Sequence, residues 1–338
     1  MDITPLLKTA LKHRTAWLHP PHESAFRLFN GYTEGLPGLR IEIFARTAVL
    51  FNLARPPEKV QSAVAQTADF LPRALPWLES ILLKVRRAPE DELRRGRLLW
   101  GTRLARRIRE DGVRYALDLR LNQDAGFYVE TRPLRAWLLA RMEGRSVLNT
   151  FAYTGSLGVA ALAGGAARVV QTDLKRRFLN LAKESCTLNG LPIRKPDYLT
   201  GDFFSITARL RRQKARFDCV ILDPPFFSRT AKGRVDLQKD YRALLNKVRP
   251  LVAPGGRLVA VNNALYLSGA AYMQTLDAVC AQGVLRLEEI LPIPEDCTGF
   301  GLPSGGSPYP TDPAPFNYPT KIAVLRSAGK FARGEVGK

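Results

Sequence analysis

The chain has 338 residues, too many for one ordinary core, and the length suggests two domains. Hydrophobic residues make up 46% and charged residues 24%, the balance of a soluble globular protein, and no apolar run reaches the length of a bilayer span. Lys and Arg number 51 against 31 Asp and Glu, a net charge of +20 whose field attracts polyanions without specifying a fold. The N-terminus has neither an apolar h-region nor a small-residue cleavage site, so no secretory signal is expected. Cys186, Cys219, Cys280 and Cys297 are scattered, without CxxC or other metal-ligand spacing. A reduced, metal-free cytoplasmic protein is the expectation.

Residues 25–55 read as β-rich, with alternating apolar positions around the turn formers Gly31, Gly35 and Pro37-Gly38. Val60–Leu83 reads as helical, interrupted by Pro72 and Pro76, and Ile81–Arg87 as a strand. From Arg94 to Arg109 there are seven arginines and no acid, with Leu98, Leu99 and Trp100 among them. Guanidinium groups pair with phosphate and stack on bases, so Arg94, Arg95, Arg97, Arg103, Arg106 and Arg107 are candidate RNA-binding residues. A hairpin is predicted over Arg107–Leu117, turning at Glu110-Asp111-Gly112. Residues 1–119 thus form an expected small α+β domain, with RNA binding as its expected role.

Residues 120–338 change to strand–helix alternation, which implies an α/β domain with a seven-stranded, doubly wound (Rossmann-like) sheet. The predicted strands are Ser146–Asn149, Arg168–Thr172, Tyr198–Thr200, Phe217–Leu222, Arg257–Asn262, Leu285–Leu291 and Ile322–Arg326. The last two should be joined by a hairpin-like return. Helices are predicted over Pro133–Arg141, Leu157–Ala163, Lys175–Asn189, Ile206–Gln213, Asp236–Val248 and Gly269–Ala281. The Gly/Pro-rich run Thr298–Pro319 is long for a loop and reads as a lid, a binding loop or a disordered segment.

Ligands of such sheets lie beyond the carboxyl ends of the strands. The turn Asn149–Ser156 offers a close backbone approach at Gly155 and the free N–H groups of the following helix. Asp173 ends the second strand, where a carboxylate can accept both hydroxyls of a ribose. Asp202 follows the third, where it can reach an adenine amino group while Phe203 or Phe204 packs on the ring. NAD would be a rival ligand, but the turn lacks GxGxxG. The strand Phe217–Leu222 runs into Asp223-Pro224-Pro225-Phe226. The prolines fix the backbone and remove N–H donors, the carbonyls become rigid acceptors, and Phe226 can stack on a planar base. These are the parts of an S-adenosylmethionine (SAM) methyltransferase, with Asp223, Pro224, Pro225 and Phe226 as candidate catalytic residues.

The segments VLNTFAYTGSLGVAALAGGA (147–166), FDCVILDPPFF (217–227), AFRLFNGYTEGLPGL (25–39) and LNQDAGFYVETR (121–132) extend this. With them the chain resembles the class I SAM-dependent methyltransferases of bacterial 23S ribosomal RNA, a group that includes cytosine-C5 and guanine-N7 enzymes. The resemblance runs from about Ala25 to Arg326. It implies that a small domain precedes the catalytic one and that the PUA domain with which many members start is missing. It also implies SAM contacts from Phe127, Arg132, Asn149, Tyr153, Gly155, Asp173, Asp202 and Asp223. Glu130 stands where the family usually has aspartate.

Carbon-5 of cytosine is not nucleophilic, so its methylation needs a thiolate that first adds to C6. In the resembling cytosine enzymes that cysteine follows the fifth strand, where this chain has Asn262-Asn263. Cys186, Cys219 and Cys280 fit inert packing, and only Cys297 is placed to reach a pocket. Without a thiolate the target should own a lone pair, as guanine N7 or an exocyclic amine does. The expectation is therefore methylation of a base nitrogen in 23S rRNA. The alternatives are cytosine C5 with Cys297, or N-methylation of a protein or small molecule.

Overall fold

The computed structural model describes residues 2–300 and 320–328. Its first sheet has five strands in sequential order: β1 (Ala25–Phe29), β2 (Leu39–Phe44), β3 (Thr47–Asn52), β4 (Ser80–Val85) and β5 (Arg97–Gly101). All pairs are antiparallel except β3–β4, whose connection carries α2 (Gln61–Ala74). Together with α1 (Thr4–His13), α2 covers one face over Phe26, Leu28, Ile41, Ile43, Leu50 and Ile81. The helical expectation for Val60–Leu83 overreached. Pro72 is accommodated in the last turn of α2, Pro76 follows its end, and Ser80–Val85 is fully buried as a strand.

A short helix, α3 (Asp91–Arg95), leads into the edge strand β5. The predicted hairpin forms from β6 (Arg107–Glu110) and β7 (Val113–Ala116), with Arg109 opposite Arg114. Next come α4 (Arg132–Arg141), β8 (Ser146–Thr150), α5 (Ser156–Ala163), β9 (Arg168–Asp173), α6 (Arg176–Leu188) and β10 (Tyr198–Thr200). They are followed by α7 (Phe203–Arg212), β11 (Phe217–Leu222), β12 (Phe227–Thr230), β13 (Gly233–Asp236), α8 (Tyr241–Val248) and β14 (Val252–Asn262). The remaining elements are α9 (Gly269–Cys280), β15 (Leu285–Leu291), α10 (Glu295–Thr298) and β16 (Lys321–Ser327).

The second sheet is seven-stranded, in the order β10-β9-β8-β11-β14-β16-β15. Its first five strands are parallel, and β16 is antiparallel to both β14 and β15, the expected return. Helices cover both faces, with separate apolar cores centred on Val220, Leu222 and Leu258 and on Val147, Ile221 and Val259. The helix predicted from Asp236 begins only at Tyr241. Phe227–Asp236 forms a hairpin instead, and the Asp236 carboxylate accepts the N–H groups of Gln238 and Lys239 in the turn that follows. The predicted loop Thr298–Pro319 lies outside the described residues from 301 onward.

The two sheets meet across a buried polar seam. Arg27 of β1 pairs with Glu42 of β2 at 2.9 Å and with Glu130 at 3.4 Å. Asp296 of α10 accepts the Arg27 N–H at 2.8 Å and pairs with Arg132 at 3.1 Å. Arg14 reaches Glu34 at 2.9 Å and donates to the Asp296 carbonyl at 3.2 Å, while Arg135 pairs with Glu110 at 2.6 Å. Beside these pairs, Phe44, Val49, Phe51 and Leu82 of the first sheet join Tyr115, Phe127, Val159 and Cys297 in one apolar cluster.

Candidate active site

The carboxyl ends of β8, β9, β10, β11 and β14 open onto one cavity of about 740 Å3. It lies where the strand order reverses between β8 and β11. In the turn after β8, Phe151 and Tyr153 take left-handed φ values of 53° and 51°, uncommon for non-glycine residues. The Ala152 N–H donates to the Thr172 carbonyl at 2.8 Å and the Tyr153 N–H to Asp173 Oδ2 at 2.9 Å, which hold the turn in that shape. Phe151 thereby stacks on Phe203 with ring centroids 4.5 Å apart, and both rings line the cavity.

Asp173 lines the cavity at the end of β9, and its Oδ1 accepts the Lys175 N–H at 2.9 Å. Burial raises its carboxyl pKa against the opposing pull of these backbone donors. Asp202 also lines the cavity, but its carboxylate is mostly engaged. Oδ1 caps α7 by accepting the N–H groups of Phe204 and Ser205, and Oδ2 accepts the Thr230 hydroxyl at 2.6 Å. This cap starts α7 three residues before the predicted Ile206. Phe127 and Tyr153 line the wall, where Asp124 accepts hydrogen bonds from the Tyr153 hydroxyl and, at 3.1 Å, from the Tyr128 hydroxyl. Burial, followed by the Asp124 charge, pushes the Tyr153 hydroxyl far above the usual phenol range, so it stays a donor.

Three predicted cofactor contacts are not among the residues that line the cavity. Arg132 belongs to the polar seam, where it pairs with Asp296 and donates to the Ala25 carbonyl at 3.0 Å. Asn149 is buried within the sheet, its amide 3.4 Å from Gln171 Oε1. Gly155, at φ +79°, is required by helix packing, since a Cβ there would stand 2.3 Å from Ala182 Cβ. Its neighbours Thr154 and Ser156 are the residues that face the cavity.

Asp223, Pro224, Pro225 and Phe226 all line the cavity, with Asp223 half-buried and Phe226 exposed at its mouth. Burial, and then the charge of Glu130, push the Asp223 carboxyl up to about 7. Asn263, which follows β14, donates from Nδ2 to the Pro224 carbonyl at 3.5 Å. Its Oδ1 is buried and has no hydrogen-bond partner. All four cysteines fall among the described residues, and none lines the cavity. Cys297 is fully buried in the cluster between the two sheets, and burial pushes its thiol well above the usual range. It does not reach the pocket.

The arginine run is divided. Arg94 is half-buried and fastened to the Ala88 and Pro89 carbonyls at 2.8 and 2.6 Å, which makes it a structural residue. Arg95 is exposed but donates to the Arg120 carbonyl at 3.0 Å. Arg97, Arg103, Arg106 and Arg107 are exposed with no side-chain partner among the described residues, and Trp100 is exposed between them. Sequence reasoning missed Asp124, Tyr128, Phe151 and Thr230 on the cavity wall. Asp124 and Tyr128 sit in the quoted segment 121–132, whereas Thr230 lies on the unforeseen hairpin.

The family described as S-adenosylmethionine-dependent methyltransferase matches residues 43–297. The chain belongs to that family. A ribosomal RNA large subunit methyltransferase I from Aeromonas hydrophila is 30% identical over 255 residues, 75% of this chain and 64% of that protein. A Bacillus subtilis protein, provisionally named a ribosomal RNA large subunit methyltransferase, is 29% identical over 303 residues, 86% of this chain and 74% of its own length. The chain thus spans 64% of the first of these relatives. A Streptococcus mutans structure described as a candidate SAM-dependent methyltransferase superposes with a TM-score of 0.81 at 20% identity, over 96% of this chain and 82% of that one. At that identity the likeness speaks for the fold. Among the described residues, no helix is long and apolar enough to cross a membrane and no cluster of three or more His, Cys, Asp or Glu could hold a metal.

Proposed function

We propose that this chain is a SAM-dependent methyltransferase that modifies a nitrogen of a base in RNA, with 23S ribosomal RNA as the substrate and guanine N7 as the leading target. The observation that carries the nitrogen assignment is the absence of any cysteine from the cavity wall. Its RNA half rests on the net charge of +20, the exposed arginines and the names of the relatives. Residues 1–119, with Arg95, Arg97, Arg103, Arg106 and Arg107, would hold the RNA backbone.

The cavity suits the cofactor. Its volume lies within the range of small-molecule sites, and its carboxylates and stacked aromatic rings match a cation that carries a ribose and a purine. In this reading the free lone pairs of Asp173 take the ribose hydroxyls. Phe151 and Phe203 form the purine wall beside Asp202, while Phe127 and Tyr153 close the cavity around the chain bearing the methyl group. When bound, SAM supplies a methyl on a positively charged sulfur; the base nitrogen's lone pair forms the new bond and the sulfur keeps the old pair.

The Pro224 carbonyl and Asn263 Oδ1 accept N–H groups of the base, and Phe226 stacks on its face. Asp223 and Glu130 place negative charge beside a ring that becomes cationic on methylation. A ring nitrogen needs no base, whereas an exocyclic amine would pass its proton to the Asp223 carboxylate. The remaining contribution is alignment.

Methyl-tritiated SAM should label rRNA taken from a strain that lacks this gene. Mass spectrometry of the nucleosides should then show an N-methylated base. Formation of 5-methylcytidine would sink the nitrogen assignment, and an absence of label in RNA would sink the substrate class.

A further inference from the structure

The cavity has a second wall, supplied by the first sheet. Arg40, Glu42, Phe51 and Arg86 all line it. Arg40 lies near the start of β2, its register partner Phe51 near the end of β3, and Arg86 directly after β4. Ends of three adjacent strands therefore meet at one edge of the active cavity. The Arg40 guanidinium lies over the Phe51 ring, 4.5 Å from its centroid, and its Nε stands 3.3 Å from Glu42. Arg86 is exposed, and its guanidinium has no ion pair or hydrogen bond among the described residues. An unpaired guanidinium on the wall of an active cavity is a ready anion contact.

Charge is unevenly spread within the cavity. Asp124, Asp173, Asp202 and Asp223 come from the segments around the second sheet, with Lys175 beside them; the first sheet brings Arg40 and Arg86, with Glu42 paired to Arg40, so the free charge on its side is the guanidinium of Arg86. The acidic side suits a sulfonium and an α-amino group, and the guanidinium side suits phosphate. The seam keeps the two in register, because Arg27 pairs both with Glu42, two residues from Arg40 on β2, and with Glu130 on the cavity wall.

We infer that Arg40 and Arg86 form the phosphodiester subsite for the nucleotide whose base enters the Asp223-Pro224-Pro225-Phe226 pocket. Phe51 holds the Arg40 guanidinium flat, and Arg86 supplies the free charge. The first sheet is then part of the active cavity as well as a carrier of the surface arginines. The inference rests on the proposed RNA substrate.

The test uses the full chain and the variants Arg86→Ala and Arg40→Gln, with single-stranded RNA oligonucleotides for binding and deproteinised rRNA for turnover. Each variant should raise the KM for rRNA about tenfold and lower the slope of log Kd against log salt by about one, the signature of one lost phosphate contact. The Kd for SAM should stay within about twofold by calorimetry, an order-of-magnitude expectation for groups that touch only phosphate. A weaker SAM Kd with an unchanged RNA slope would overturn the inference and make these arginines partners of the methionine carboxylate. Unchanged KM and slope in both variants would overturn it as well. If the wild-type chain labels no rRNA, the proposed function falls, and the oligonucleotide salt slope alone decides the subsite. Melting temperatures equal to wild type would show that Arg86→Ala, at an exposed position, reports on binding rather than folding.

Discussion

Asp223 lines the cavity with Glu130 as its charged neighbour, and burial, followed by that charge, pushes its carboxyl up to about 7. A pKa raised in the folded state means that the fold binds this proton more tightly than the unfolded chain does. Its contribution to stability is therefore present at low pH and is lost as the pH rises from about 4 towards about 7. Asp223→Asn should melt higher than wild type at pH 8, with the gap closing near pH 4, as thermal scans at the two pH values will show. The same substitution should cut methyl transfer at least about a hundredfold, on the scale of lost electrostatic stabilisation in an active site. In the wild type, kcat/KM should fall as the pH drops through about 7, because the protonated carboxyl offers the base less negative charge. If the profile is flat there, Asp223 takes no part as a carboxylate. At this scale Asp173 and Asp223 were readable in the sequence because one ends a strand and the other directly follows one, where topology alone sets the position. The ion pair of Arg132 was not readable, since its partner Asp296 lies 164 residues away.

Turns decide the site at the level of elements. Gly155→Ala would drive a Cβ to 2.3 Å from Ala182 and impose a left-handed backbone on alanine, so it should cost about 1–3 kcal/mol of overpacking. The loss should appear as a lower denaturant midpoint, with SAM affinity reduced in proportion to the unfolded fraction only. If affinity collapses while stability holds, Gly155 is a ligand contact after all. Thr230→Val should remove the bond that ties the β12–β13 hairpin to Asp202, and the SAM Kd should weaken about three- to tenfold, the scale of one typical net hydrogen bond. The central strands of the second sheet were legible because Val147–Leu148, Val169–Val170, Val220–Leu222 and Leu258–Val261 are compact apolar runs, and the edge strands β10 and β15 from the strand–helix rhythm around them. The hairpin was not, because Phe227–Asp236 has no alternation and its shape comes from Asp202 and the Asp236 turn. The first sheet's share of the cavity was equally hidden, since Arg40 and Phe51 look in sequence like ordinary strand residues. Only the pairing of β2 with β3 brings them together.

For the molecule as a whole, the polar seam makes the two sheets one mechanical body. Asp296 is fully buried and serves both the Arg27 N–H and Arg132. Asp296→Asn leaves Arg132 with Glu110 at 3.6 Å and should destabilise the chain by about 3 kcal/mol, the cost of breaking a buried pair. Urea unfolding should show one transition in both proteins; a second, separate transition in the wild type would mean that the sheets unfold independently. The same seam sets a schedule for synthesis. Arg27 takes its partner from 269 residues downstream and Arg14 from 282 downstream, so both lie bare of that contact until nearly the whole chain has left the ribosome. The first sheet can assemble its own apolar core early, but this corner closes last, and a nascent chain that stops before α10 should be cleaved by protease near Arg14–Arg27 where the finished protein resists.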